Sequence, residues 1–253
     1  MTPPSTPAGP NSYATLAAGA DFRHELAIKR SRFITVLRRV GDEAAARGLI
    51  TGLRREFSDA RHHCSAFVLG ADRAVQRSND DGEPSGTAGQ PMLDALLKRE
   101  TGTAAAPAAD LSDVCAVVVR YFGGILLGAG GLVRAYSESV SSALELAPLV
   151  RRDRMQRFTV SAPHAAAGRL ENELRSAGYV MTGNSYDADG TTLGLALADD
   201  AAVIAAAQER LASLTSGEGA LVAAGRDWVD TPLPRGSRKA VTAGFPRAGA
   251  PPG

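Results

Sequence analysis

Three short segments of this sequence concentrate the residue types that bind ligands or transfer protons. The first, residues 77–91, holds three carboxylates beside glycines that let a ligand approach the backbone closely. Its candidate groups are Asp80, Asp81, Glu83 and Thr87. The carboxylates could hold a hard cation or act as acid and base, but their spacing does not match a calcium-binding loop. A polar connection is the alternative to a functional loop.

The second segment, residues 119–136, places five glycines between an apolar run and a helical pattern. They are Gly123, Gly124, Gly128, Gly130 and Gly131. The free N–H groups and the dipole of a helix N-terminus favour anions such as phosphate. Arg120 and Arg134 flank the glycines and would clamp such an anion. The spacing fits neither a P-loop nor a dinucleotide fingerprint, so an anion site stands beside close helix-to-sheet packing as an alternative.

The third segment is His62-His63-Cys64. In a strand, His62 and Cys64 share a face, so a nucleophilic pair is sterically conceivable, although a packed strand has the same pattern. With four histidines and two cysteines in the chain, a zinc site would be hard to complete. We therefore predict no metal and no cofactor, and we leave the catalytic residues unassigned.

Hydrophobic periodicity predicts the elements that position these segments. The predicted strands are 32–40, 62–70, 74–80 and 113–122, and the predicted helices are 42–57, 91–100 and 132–147. The run 113–122 is apolar and β-branched, which is typical of a central strand buried on both faces. The first half of the chain is therefore predicted to be a mixed domain with helices covering a sheet on one side.

The second half has a more regular pattern. Strands are predicted at 157–163, 179–187, 191–198 and 220–229, and helices at 165–178 and 201–217. This βαββαβ order is that of the ferredoxin-like split βαβ unit. Because that unit hosts many functions, it specifies none.

Composition bounds the class of protein. The 28 basic and 27 acidic residues nearly cancel, so no net field points to nucleic acid or a membrane. Two cysteines fit a reducing compartment, and the sequence has neither a secretory signal nor an apolar span long enough for a bilayer. We expect a cytoplasmic protein without membrane contact. Residues 1–20 and 230–253 are rich in Pro and Ala, which predicts disorder.

Taken together, the three segments resemble the signature of the IMPACT family, and the two-part layout resembles its bacterial YigZ-like branch. The resemblance rests on HHCSA (62–66), DDGEPSGTAG (80–89) and RYFGGILLGAGGLVRAY (120–136), and it covers about residues 20–229. Two departures are His63, where Asn is common, and Leu126-Leu127 in place of a common Lys-Leu. The second departure removes a positive charge beside the glycines.

The resemblance implies an α+β protein with two domains. Residues 21–150 would adopt the fold of the second domain of ribosomal protein S5. Residues 154–229 would form a ferredoxin-like domain similar to one at the end of elongation factor G. Ribosomal protein S5 and elongation factor G both act on the ribosome. The eukaryotic namesake of the family inhibits activation of a translation-regulating kinase by competing for the ribosome-associated activator of that kinase.

These considerations favour a binding module that contacts RNA, the ribosome or a translation factor. The predicted functional surface consists of His62, Cys64, Asp80, Asp81, Glu83, Thr87, Arg120, Tyr121, Arg134 and Tyr136, with the five glycines as anion-binding groups. The alternative is an enzyme acting on a small anionic or phosphorylated substrate, with the acidic loop as base and the two arginines as clamps. A regulator that acts by protein contact alone would need no pocket.

Overall fold

A computed structural model describes residues 10–103 and 106–233, which form two five-stranded antiparallel sheets and five helices. The strands are β1 Ser12–Leu16, β2 Phe22–Ile28, β3 Ser31–Arg39, β4 His62–Leu69, β5 Val75–Asn79, β6 Val114–Tyr121, β7 Leu149–Ala162, β8 Val180–Tyr186, β9 Thr191–Ala198 and β10 Val222–Pro232. The helices are α1 Glu43–Glu56, α2 Gly89–Leu97, α3 Ala129–Leu146, α4 His164–Ser176 and α5 Ala201–Leu214. The mixed composition of helices and antiparallel sheets agrees with the prediction.

The first sheet has the strand order β2-β3-β6-β4-β5, with β6 at its centre. Side chains of β6 alternate between two cores: Val118 packs with α2 and α3 on one face, and Val117 packs with α1 on the other. The prediction of a strand buried on both faces is confirmed. The prediction of helices on one side is wrong, because α1 places Leu49 and Leu53 against the opposite face.

The second sheet contains β7 at its centre, flanked by β9 and then β8 on one side and by β10 on the other. Helices α4 and α5 pack Leu170 and Leu211 against one face of this sheet. The elements follow the predicted βαββαβ order. Strand β7 begins at Leu149, eight residues earlier than predicted, and this early part also pairs with β1.

The prediction of disorder is wrong for part of each end of the chain, where the structure has strands. Ser12–Leu16 is a strand, because pairing with β7 satisfies its backbone while Ala14 and Leu16 enter the core that contains α2 and α3. At the other end, β10 continues to Pro232 opposite Val150. The remaining parts of the two predicted disordered ends, 1–9 and 234–253, lie outside the described residues.

None of the helices within the described ranges combines the length and the apolar character that crossing a bilayer requires.

Candidate functional site

The acidic loop between β5 and α2 is organised by Asp80. Its carboxylate accepts hydrogen bonds from the backbone N–H groups of Gly86 (2.8 Å), Ala88 (3.0 Å) and Gly89 (2.7 Å). Burial disfavours the charged carboxylate, but these amides outweigh it, so the pKa of Asp80 lies below its ordinary value. Gly89 is required because a Cβ there would lie 2.6 Å from the backbone nitrogen of Asn79. Asp80 therefore fixes the loop to the start of α2.

Asp81 fastens the same loop to the start of β4. One carboxylate oxygen accepts from the backbone N–H of His63 at 2.6 Å, and the other lies 2.5 Å from the guanidinium of Arg54 in α1. The backbone carbonyl of Asp81 lies 2.9 Å from Nδ1 of His62. Both acids that open the loop are thus bound within the protein.

Glu83 lies at the centre of a buried polar network that we define as Cys64, Glu83, Arg120 and Tyr136. Its Oε1 is 2.6 Å from Nη1 of Arg120 and accepts the hydroxyl of Tyr136 at 2.8 Å. The Sγ atom of Cys64 lies 3.3 Å from that hydroxyl and 2.9 Å from the carbonyl oxygen of Asp80. The network joins β4, the acidic loop, β6 and α3 beneath the surface.

The thiol of Cys64 stays protonated in this network, and a protonated thiol is a poor nucleophile. Burial, with a smaller contribution from Glu83, Asp81 and Asp80, raises the pKa of the Cys64 thiol to about 12. Burial also raises the pKa of Tyr136, next to Cys64 and Glu83. A fully buried, protonated thiol is a structural group, so the geometry gives no support to a Cys64–His62 nucleophilic pair.

Arg120 is an internal cation. Its guanidinium pairs with Glu83 and lies 5.5 Å from the ring centroid of Phe33 and 5.8 Å from that of Phe122. The side chain is only 7% exposed, so it holds a carboxylate of the protein instead of facing solvent as an anion clamp.

The other predicted side chains lie outside the network. Arg134 is exposed and its Nε donates to the carbonyl of Gly130 at 3.3 Å, which directs it back towards the start of α3. The hydroxyl of Tyr121 donates to Asp59 at 2.7 Å. The hydroxyl of Thr87 donates to the carbonyl of Pro84 and closes the acidic loop.

The five glycines serve the turn from β6 into α3. A Cβ on Gly123 would lie 2.0 Å from the backbone of Arg30, so this glycine lets the β2–β3 turn approach. Gly124 and Gly128 have positive φ, at 83° and 70°, while Gly130 and Gly131 lie in the first turn of α3.

The turn presents a mixed surface that we call the glycine-loop face, defined as Lys29, Arg30, Phe122, Leu126 and Arg134. Leu126 is 83% exposed and Phe122 is 49% exposed. Lys29 and Arg30 form the β2–β3 turn beside Gly123, both with positive φ and both exposed. Among residues 10–103 and 106–233, none of the three cations forms an ion pair with a carboxylate.

Comparison with known proteins places this site in a family. Residues 29–144 match the model of the Impact N-terminal domain. The IMPACT family member YvyE of Bacillus subtilis is 45% identical over 171 residues, covering 68% of this chain and 73% of the relative. The IMPACT family member YigZ of Escherichia coli is 37% identical over 198 residues, covering 78% of this chain and 91% of the relative. The chain belongs to the IMPACT family.

A solved structure described as a hypothetical protein is also similar to this IMPACT family member. It is 36% identical, with a TM-score of 0.52, and the match covers 85% of this chain and 98% of the other. The buried polar network and the glycine-loop face both lie within residues 29–144, the part that matches the family model.

Sequence reasoning missed Lys29 and Arg30. Their signal is a pair of cations between two apolar segments, but only the pairing of β3 with β6 brings them beside Gly123. In the part of this IMPACT family member that the structure describes, no group of three or more His, Cys, Asp or Glu side chains is arranged to hold a metal ion.

Proposed function

We propose that this IMPACT family member is a translation-associated regulatory binding protein that contacts RNA on the ribosome through the glycine-loop face. The observation that carries the proposal is the set of exposed cations that form no ion pair within residues 10–103 and 106–233, beside the exposed ring of Phe122. Unpaired cations attract phosphates, and an exposed aromatic ring offers a base a surface for stacking. Such partners would place the protein in the cytoplasm.

The domain architecture supports the same proposal. We assign residues 21–150 to the fold of the second domain of ribosomal protein S5 and residues 154–229 to a ferredoxin-like domain. The strand order β10-β7-β9-β8, with every neighbouring pair antiparallel, supports the second assignment. Strand β1 adds to this sheet alongside β7 and would be an extension of the domain.

The geometry favours binding over catalysis on a small anionic substrate. Catalysis by the acidic loop would require a carboxylate that is free to take a proton or hold a cation. Asp80 instead accepts three backbone amides, Asp81 binds Arg54, and Glu83 binds Arg120 and Tyr136. Each of the three carboxylates is therefore occupied by a partner within the protein.

The test is co-sedimentation of the protein with ribosomal subunits at several salt concentrations. We expect wild-type binding to weaken steeply with salt, by about 0.7 to 0.9 log units per log unit of salt for each phosphate contacted. Lys29→Ala/Arg30→Ala should weaken binding and lower that slope by about 1.4 to 1.8, because two phosphate contacts are lost.

Lys98→Ala/Arg175→Ala is the matched control, since it also removes two exposed cations, each paired with a carboxylate four residues earlier in its helix. It should leave both the affinity and the salt slope unchanged. Wild-type binding that does not depend on salt would refute contact with RNA phosphates.

A translation factor is the second candidate partner, and the exposure of Leu126 is the observation that favours it. At 83% exposed, this side chain offers apolar area for a protein contact that RNA phosphates do not use. Leu126→Glu should then abolish the part of the co-sedimentation that is insensitive to salt, which a translation factor bound to the ribosome would provide. Leu146→Glu, at the other end of α3 and 46% exposed, is the control and should have no effect.

A further inference from the structure

A second concave surface lies on the α1 side of the first sheet. Between α1 and the strands β4 and β5 there is a cleft of about 500 Å³. Strand β5 is at the edge of the sheet, so one side of the cleft is open to solvent. A volume of this size is in the range of small-molecule pockets.

The walls of the cleft are basic. Arg47 and Arg54 reach it from α1, and Arg77 reaches it from β5, against the single carboxylate of Glu43. Arg77 donates to the carbonyl of Gln76 and forms no ion pair with a carboxylate in the part of the chain that the structure describes. Guanidinium groups from two different elements can bind one phosphate from two directions.

The remaining arginines differ in how freely they can bind a ligand. Arg47 pairs with Glu43 on the helix surface, at side-chain exposures of 72% and 37%, and an exposed pair of this kind is weak enough for a phosphate to replace. Arg54 also holds Asp81, so removing it would disturb the acidic loop. Arg47 and Arg77 are therefore the residues that test the cleft cleanly.

The base of the cleft is suited to a ring. The partly buried Ile50 and the exposed edge of Phe67, which is 5% exposed, supply its apolar surface, and the polar side chains of Ser65 and Asn79 lie beside it. The register places Phe67 opposite Arg77 and Ser65 opposite Asn79. The two side chains of each pair therefore project from the same face of the sheet, into the cleft. A phosphate at the arginines would leave an attached ring against Phe67.

We propose that this cleft binds a phosphorylated ligand of nucleotide size, with the phosphate at Arg47 and Arg77 and the ring against Phe67. The cleft and the glycine-loop face share no residue, because the cleft is formed by α1, β4 and β5, whereas the face is formed by the β2–β3 turn, the loop after β6 and α3. The inference is therefore independent of contact with the ribosome and adds a small-molecule site to the protein.

The test is isothermal titration of the full chain with adenosine 5′-monophosphate, inorganic phosphate and adenosine. We expect the monophosphate to bind more tightly than either fragment, because only it engages both the arginines and the ring surface. Arg47→Ala/Arg77→Ala should weaken binding of the monophosphate at least about tenfold, through loss of charge-assisted hydrogen bonds.

Lys29→Ala/Arg30→Ala is the control and should bind the monophosphate as the wild type does, while Arg47→Ala/Arg77→Ala should still sediment with ribosomal subunits. A short single-stranded RNA distinguishes a nucleotide within a strand from a free one. Binding of the RNA without binding of the monophosphate would overturn the proposal. So would monophosphate binding that is equal in the wild type and in Arg47→Ala/Arg77→Ala.

Discussion

The two sheets of this protein differ in how helices cover them, and the burial of their ion pairs differs accordingly. In the first sheet, helices pack on both faces, and the central strand β6 is buried from Val114 to Val119. In the second, α4 and α5 cover one face, and β10 is exposed over most of its length, with Val222 at 60%. The first sheet encloses the charged pair Glu83–Arg120, the most buried ion pair among the described residues.

Enclosure changes what the same residue types do. The ion pair of Glu83 with Arg120 is 4% and 7% exposed, whereas the pair of Asp227 with Arg157 in the second sheet is 53% and 42% exposed. Water screens the second pair, while the first must be satisfied by the protein itself. We therefore expect substitutions to lower the free energy of unfolding most at the Glu83–Arg120 pair and least at the Asp227–Arg157 pair.

The largest effect is expected for Glu83→Ala. This change leaves the guanidinium of Arg120 buried without its carboxylate, and breaking a buried pair in this way costs about 3–5 kcal/mol of the free energy of unfolding. Urea denaturation measures it. Glu83→Gln keeps a hydrogen-bonding side chain in the network and should cost less than Glu83→Ala. A loss below about 1 kcal/mol would show that Arg120 reaches water.

Leu16→Ala tests whether the N-terminal strand is part of the fold. Leu16 is 3% exposed and packs in the core on the α2–α3 face of the first sheet, so the substitution should cost about 2–5 kcal/mol in the same assay. Leu126→Ala, at a position 83% exposed, is the control and should be nearly neutral. Equal stability of both variants would contradict the strand.

The third prediction concerns stability at alkaline pH. Both thiols of the chain, Cys64 and Cys115, lie in strands of the first sheet. Burial raises the pKa of Cys64 and of Cys115 from the ordinary 9.0 to about 12. Because the folded pKa exceeds the unfolded one, the stabilisation is complete below pH 9 and is lost as the pH rises towards 12. Between pH 9 and 10, each thiol should lower the free energy of unfolding by about 1 kcal/mol per pH unit.

Cys115→Ala provides the control for this prediction. Denaturation across the same pH range should show a shallower fall for Cys115→Ala than for the wild type, because one of the two titrating thiols is gone. Identical slopes would mean that Cys115 titrates normally in the folded protein.

The smallest effect is expected for Asp227→Asn. Its pair with Arg157 is about half exposed on the second sheet, so its loss should change the free energy of unfolding by less than about 1 kcal/mol. The measurement is again urea denaturation, with added salt reducing the difference further. A cost as large as that of Glu83→Ala would remove the contrast between the two sheets.

Much of the fold was predictable from local pattern. The apolar, β-branched run at 113–122 predicted the central strand, and the helical spacing at 42–57 predicted α1. The strand at Ser12–Leu16 was not predictable, because its short segment has no periodicity and its stability comes from pairing with β7. For the same reason β7 was predicted to begin too late.

The sequence by itself determined the family, the order of the elements from β3 onwards and the segments that carry the polar residues, because these depend on residue types and their spacing along the chain. Only the tertiary structure decided which of those residues face inwards. It buried Arg120 with Glu83 and Tyr136, and it placed Lys29 and Arg30 beside Gly123 at the surface. Burial and ion pairing depend on contacts between distant segments, which spacing within one segment does not encode.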